Sequence, residues 1–149
     1  MDATATPKPK KKKAPAKSKS ITERGKRKES VARASIKKGK GTVRVNKFNV
    51  NALPDKYLRA VITQPLAIAG AAVNDVDIDV TVYGGGPMGQ AQAVANAITK
   101  AILAYTKDDT LRHKFLEIDK FLVVEDSRRV EPKKYKGPKA RARFQKSYR

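Results

Sequence analysis

No cysteine occurs in the chain. That absence excludes a disulfide framework and a thiolate zinc site, and with them the secreted mini-protein and the zinc finger. It fits a reducing, cytosolic setting. His113 is the only histidine; on a charged helix and without a cysteine partner, it can nucleate neither a catalytic triad nor a metal site. Long apolar runs are missing as well. The longest, Leu66 to Val73, is too short to cross a bilayer, and no apolar block of a secretory signal follows the lysine-rich start. Carboxylates are scarce: 14 Asp and Glu stand against 34 Lys and Arg in 149 residues, a formal net charge of +20. A chain of this length is expected to form one domain.

The charge is unevenly spread. Residues 1–28 hold 11 basic and 2 acidic side chains, residues 29–127 hold 13 and 11, and residues 128–149 hold 10 and 1. A nearly balanced centre flanked by two cationic ends points to a polyanionic partner, nucleic acid before others. The divisions expected are a basic extension over 1–28, a globular α+β domain over 29–127 and an extended basic tail over 128–149. Met1 to Ser20 is built mainly from Lys, Ala, Pro, Ser and Thr, with Lys10 to Lys13 in a row. Such a segment cannot bury enough surface to offset its chain entropy and is expected to be disordered when free, as a solubilising tail or as a phosphate binder.

Within the centre, Ala32, Ala34 and Ile36 alternate with Arg33, Ser35 and Lys37, and Val43 and Val45 follow the turn signal Lys38-Gly39-Lys40-Gly41. This predicts a hairpin whose polar face turns Arg33, Lys37 and Arg44 to solvent or to phosphate. Leu53, Tyr57, Leu58, Val61 and Ile62 recur at helical spacing after Pro54, and Pro65 is expected to interrupt that helix. Asp75 to Tyr83 alternates acids and Thr with Val and Ile, the signature of a half-buried strand. Its aspartates are not an EF-hand, because the glycine that loop requires is replaced by Val80. A strong helix is predicted from Pro87 to Thr106 with Val94, Ile98, Ala101, Ile102 and Tyr105 along one stripe. A short helix follows at Asp108 to Leu116, then an apolar anchor at Phe121 to Val124.

Gly84, Gly86 and Gly89 satisfy G-x-G-x-x-G between a predicted strand and a predicted helix, the setting of a dinucleotide fold. Three features oppose that reading. The strand alternates instead of being apolar throughout, Asp108 and Asp109 fall at a helix end, and too little chain remains for a second mononucleotide half. Gln90-Ala91 also stand where a Walker loop needs Lys and Ser or Thr. A tight strand-to-helix turn explains the glycines; any ligand at the helix start would be an RNA phosphate. The chain reads as a non-enzyme, with no cofactor and no small-molecule substrate.

In the last 22 residues, basic side chains are interleaved with Tyr135, Phe144 and Tyr148, while Gly137 and Pro138 oppose helix formation. Cations neutralise phosphates and aromatic planes stack on unpaired bases, a chemistry suited to folded RNA. Such a strand can thread between RNA helices and order on binding. A DNA-compacting protein and a nucleotide-dependent phosphotransferase are the competing readings, the first resting on Lys10 to Lys13 and the second on the glycine turn.

Three ordered blocks sharpen the picture: Gly25-Lys-Arg-Lys-Glu-Ser-Val-Ala-Arg33, Gly84-Gly-Gly-Pro-Met-Gly-Gln-Ala91 and Lys139-Ala-Arg-Ala-Arg-Phe-Gln-Lys-Ser-Tyr-Arg149. Together they resemble the family of small ribosomal subunit protein nine, from about Gly25 to Arg149. The Gln-Lys-Ser-Tyr-Arg ending is similar to its archaeal and eukaryotic branch. The resemblance implies an α+β domain of the ribosomal protein S5 domain 2-like kind, a mostly antiparallel sheet packed against helices with basic tails. It also implies a cytoplasmic place in the head of the small subunit, beside neighbouring head proteins. Residues implied to bind ribosomal RNA are Arg24, Lys26, Arg27, Lys28, Arg33, Lys37, Lys38 and Lys40 in the domain. In the tail they are Arg128, Arg129, Lys133, Lys134, Lys136, Lys139, Arg141 and Arg143. Lys146, Tyr148 and Arg149 are implied to approach the anticodon stem-loop of the peptidyl-site tRNA.

Overall fold

A computed structural model describes residues 20–145; the expected disorder of the first segment concerns residues almost all outside that range. Five strands form one sheet in the order β1-β2-β5-β3-β4. They are β1 (Ile21–Arg27), β2 (Ser30–Lys38), β3 (Val43–Val45), β4 (Phe48–Asn49) and β5 (Val76–Tyr83). All pairings are antiparallel except β3 with β5. Four helices accompany the sheet: α1 (Lys56–Ala69), α2 (Pro87–Thr106), α3 (Asp109–Ile118) and α4 (Lys120–Val123). The result is a single α+β domain with a mostly antiparallel sheet packed against helices.

Three expectations are corrected here. The alternating segments β2 and β3 do not form a hairpin, because β5 lies between them and pairs with both. Local alternation reports which face is buried but not which strand is the neighbour. The actual hairpin joins β2 to β1 through Lys28 and Glu29, with Lys28 in the left-handed region at φ 52°. Ile21–Arg27 is therefore a sheet strand, although its charge places it in the N-terminal extension by composition. Finally, Pro65 does not end α1, which runs on to Ala69. Proline removes one intrahelical bond, but Pro65 is itself buried, so packing against α2 holds both halves of the helix together.

The helix-facing side of the sheet carries Ala32, Ala34, Ile36, Val76, Ile78, Val80 and Val82, all buried. Against it lies α2, whose buried Ala93, Ala97, Val94, Ile98, Ala101 and Ile102 include the expected stripe. Tyr105, at the end of that stripe, is 38% exposed. Small residues on both sides let helix and sheet approach closely. At Gly25 a Cβ would collide with the Ala93 carbonyl and the Ala97 amide, so only glycine permits β1 to press against α2. Phe115 and Leu122 close the core from α3 and α4. In the apolar segment Phe121 to Val124, Leu122 is the buried anchor, whereas Phe121 and Val124 are exposed. Asp55, Asp108 and Asp119 cap α1, α3 and α4, each accepting from the amide two residues on, which satisfies a donor the helix cannot. The Thr110 hydroxyl and amide hold the Asp108 carboxyl below its ordinary value.

Candidate nucleic-acid interface

Of the two sheet faces, one is sealed by helices and the other is open. On the open face Arg24 and Lys26 of β1 lie beside Arg33 and Lys37 of β2, with Arg44 of β3 two strands further on. Lys37 meets Asp79 at 3.4 Å and Arg24 meets Glu125 at 3.6 Å. The first is a solvent-facing pair of the kind that contributes roughly 0–1 kcal/mol, so phosphate can displace its carboxylate at little cost, whereas Glu125 is only 24% exposed and is also held by Lys100. Lys28 stands at the β1–β2 tip. Lys38 ends β2, and Lys40 lies in the loop that follows and crosses over β5. That loop is organised by Asp77, which accepts from the Lys40 amide at 2.9 Å and from the Thr42 amide at 3.0 Å. Its carboxyl is lowered from 3.8 to about 2, chiefly by the Thr42 hydroxyl and then by these two amides.

Arg27 behaves differently from its neighbours. It points to the helix side, where Nε donates to Gln92 Oε1 at 2.8 Å and the guanidinium pairs with Asp126. Its side chain is 20% exposed and that of Asp126 only 3%. An arginine that is itself largely buried against a carboxylate is a poor phosphate ligand, so Arg27 fastens the domain instead.

What Arg27 fastens is the start of the basic tail. Asp126 also accepts from the Arg128 amide at 2.8 Å and from Arg128 Nε at 2.9 Å, while Arg129 donates to the Asp126 carbonyl at 2.6 Å. One helix away, the buried Asn96 donates through Nδ2 to the carbonyls of Phe121 and Leu122, at 2.8 Å and 3.0 Å. Lys100 bonds Glu125 at 3.3 Å, and the Arg128 guanidinium lies over the Phe121 ring. Gln92, Asn96, Lys100, Glu125 and Asp126 escaped the reading of the sequence. The adjacent acids Glu125 and Asp126, just before a cationic run, were the one available signal.

Beyond this fastening, residues 128–145 contain neither helix nor strand and are almost entirely exposed. Glu131 pairs with Arg141 at 2.8 Å and Lys134 at 3.2 Å, and Arg143 donates to the Tyr135 carbonyl at 3.0 Å. Lys133, Lys136 and Lys139 have no carboxylate partner among the described residues. Tyr135 and Phe144 expose 87% and 67% of their surface, with the Lys136 ammonium over the Tyr135 ring, so both rings are accessible to a stacking partner. Lys146, Tyr148 and Arg149 lie outside the described residues.

The glycine turn is structural. Gly84 and Gly85 adopt φ of 77° and 65°, and side chains there would strike the Glu29 carbonyl and Ser30. Ser30 Oγ and Gln90 Nε2 each donate to the Gly84 carbonyl at 3.0 Å. The preceding strand pairs antiparallel with β2, which is not the doubly wound parallel arrangement a dinucleotide site requires. His113 is exposed on α3. No helix among the described residues is long and apolar enough to cross a membrane.

Comparison with known proteins agrees with this geometry. A family profile described as Ribosomal protein S9/S16 matches residues 25–149. Small ribosomal subunit protein uS9 of Methanothrix thermoacetophila is 42% identical over 129 residues, covering 87% of this chain and 98% of that relative. The protein of the same name from Methanococcus maripaludis is 43% identical over 129 residues, covering 84% and 95%.

Proposed function

The chain belongs to the ribosomal protein S9/S16 family, and from that premise we propose that it binds small-subunit ribosomal RNA through its open sheet face and its tails, with the C-terminal residues reaching peptidyl-site tRNA. As a family member it is a structural constituent of the small ribosomal subunit and not an enzyme. Its role is architectural: cationic extensions screen phosphate repulsion where RNA segments converge, and the charge-balanced domain sets where those extensions begin. The observation that carries this reading is the fastened root of the tail. Asp126, 4% exposed, ties Arg27 of β1 to Arg128, so an unstructured cationic strand leaves the domain from a defined point.

In the tail, Arg128, Arg129, Lys133, Lys134, Lys136, Lys139, Arg141 and Arg143 line ribosomal RNA. In the domain, Arg24, Lys26, Lys28, Arg33, Lys37, Lys38 and Lys40 do so. Arg149 offers fixed charge and several donors to a tRNA phosphate, which holds the tRNA without reading its sequence. Neighbouring proteins of the subunit head complete the surroundings. Sucrose-gradient sedimentation of a cell extract tests the reading. The protein is expected in the small-subunit peak after a salt wash that strips loosely held basic proteins. Release by that wash, or equal affinity for duplex DNA and folded RNA, would instead favour a general polyanion binder.

A further inference from the structure

We propose that the open face of the sheet is a platform for unpaired RNA, with a base stacked on the Tyr83 ring and its flanking phosphates held by Lys26 and Arg33. The inference rests on the ribosomal-RNA reading above and specifies how the domain, as distinct from the tails, engages its ligand.

The face is laid out by strand register. Lys26, Val31 and Tyr83 form one row across β1, β2 and β5; Arg24, Arg33 and Thr81 form the next. Side chains directly opposite in such rows stand about 4.5–5.5 Å apart, and diagonal ones remain within reach of long side chains. Tyr83 is 53% exposed beside a half-buried Val31, so an aromatic side chain stands on the sheet with about half of its surface open to solvent. Lys26 and Arg33 have no carboxylate partner among the described residues. The carboxylates on this face, Asp77 and Asp79, sit towards the other end of β5, the first gripping the Lys40–Thr42 loop and the second paired with Lys37. The Tyr83 end thus combines cations with a solvent-exposed aromatic.

That combination selects the ligand. Protein interfaces exclude charge from their cores and are depleted in lysine, whereas a cationic sheet bearing an exposed ring is a platform on which unpaired bases stack while phosphates track the basic side chains. A duplex offers no free base to the ring, and a flat face enters neither groove.

The test uses the full-length protein in a buffer of about 0.4 M salt, which screens the tails. The ligands are an unstructured RNA of about 12 nucleotides and a duplex of the same length. Tyr83→Leu is expected to weaken single-strand binding about tenfold, while Tyr83→Phe stays near wild type and duplex binding is unchanged. Arg33→Gln should weaken single-strand binding and lower the salt slope by about 0.7. In assembled subunits, ultraviolet crosslinking should leave a nucleotide adduct on the Tyr83 peptide. Wild-type single-strand affinity in Tyr83→Leu, or an equal loss on the duplex, overturns the platform. So does a crosslink from Lys26 to a subunit protein with no adduct on Tyr83, which would assign the face to a protein partner. If the wild-type chain sediments with small subunits while Tyr83→Leu binds RNA normally, the platform alone fails. If the wild-type chain does not sediment with them, the ribosomal reading fails first.

Discussion

Two positions show how single atoms set the geometry. Because a methyl at Gly25 would enter the backbone of α2, Gly25→Ala must push strand and helix apart, and overpacking of this kind costs roughly 1–3 kcal/mol. Thermal unfolding should show a lower midpoint; an unchanged one would mean that β1 packs more loosely than described. Asp77 is a pH-dependent clasp. Its folded carboxyl titrates at about 2 instead of 3.8, so its contribution is complete above the ordinary value and is lost as pH falls through about 2. Amide protection at Lys40 and Thr42, corrected for intrinsic exchange, should decline across that window. In Asp77→Asn the same amides should be less protected at neutral pH. Flat protection from pH 3.8 down to about 2 would separate the loop from this carboxylate.

Between the elements, the decisive joint is the one connecting β1, α2 and the segment after α4. Asp126 is nearly buried and faces two guanidiniums, so removing it leaves Arg27 poorly solvated and the Arg128 amide without its acceptor. Asp126→Ala should destabilise the domain by about 1–3 kcal/mol in urea unfolding and should also raise hydrogen exchange over residues 124–130. Loss of stability without local opening would show that Asp126 supports the core but not the tail. The surface pairs of Glu131 with Lys134 and Arg141 are of another kind: they exchange readily for phosphate and contribute little to folding.

For the whole molecule, the separation of charge implies a separation of roles. Truncation at Gln145 removes the last five residues while sparing the domain and most of the basic tail. Assembly into subunits should therefore be nearly normal. Dissociation of peptidyl-site tRNA is expected to accelerate about tenfold, the effect of losing one charged hydrogen bond of about 1.5 kcal/mol. An unaltered dissociation rate would remove the tRNA from the proposed function while leaving the ribosomal RNA contacts in place.

Much of this was legible from residue order, because the relevant physics is local. Period-two alternation marked β2 and β5, and helical spacing marked α2 over Pro87–Thr106. Strand adjacency was not legible: β5 separates β2 from β3 through contacts distant in sequence, and β1 joins the sheet despite a composition like that of the extension. The same holds for the interface. A lysine or arginine in a string carries its charge but not its direction, so Arg27 and Lys26 look equivalent until pleating sends one inward to Asp126 and places the other on the opposite face, in the row of Val31 and Tyr83. Where charge resides along a chain follows from covalent order; which charges remain free for a ligand depends on the partners that folding brings within hydrogen-bonding distance.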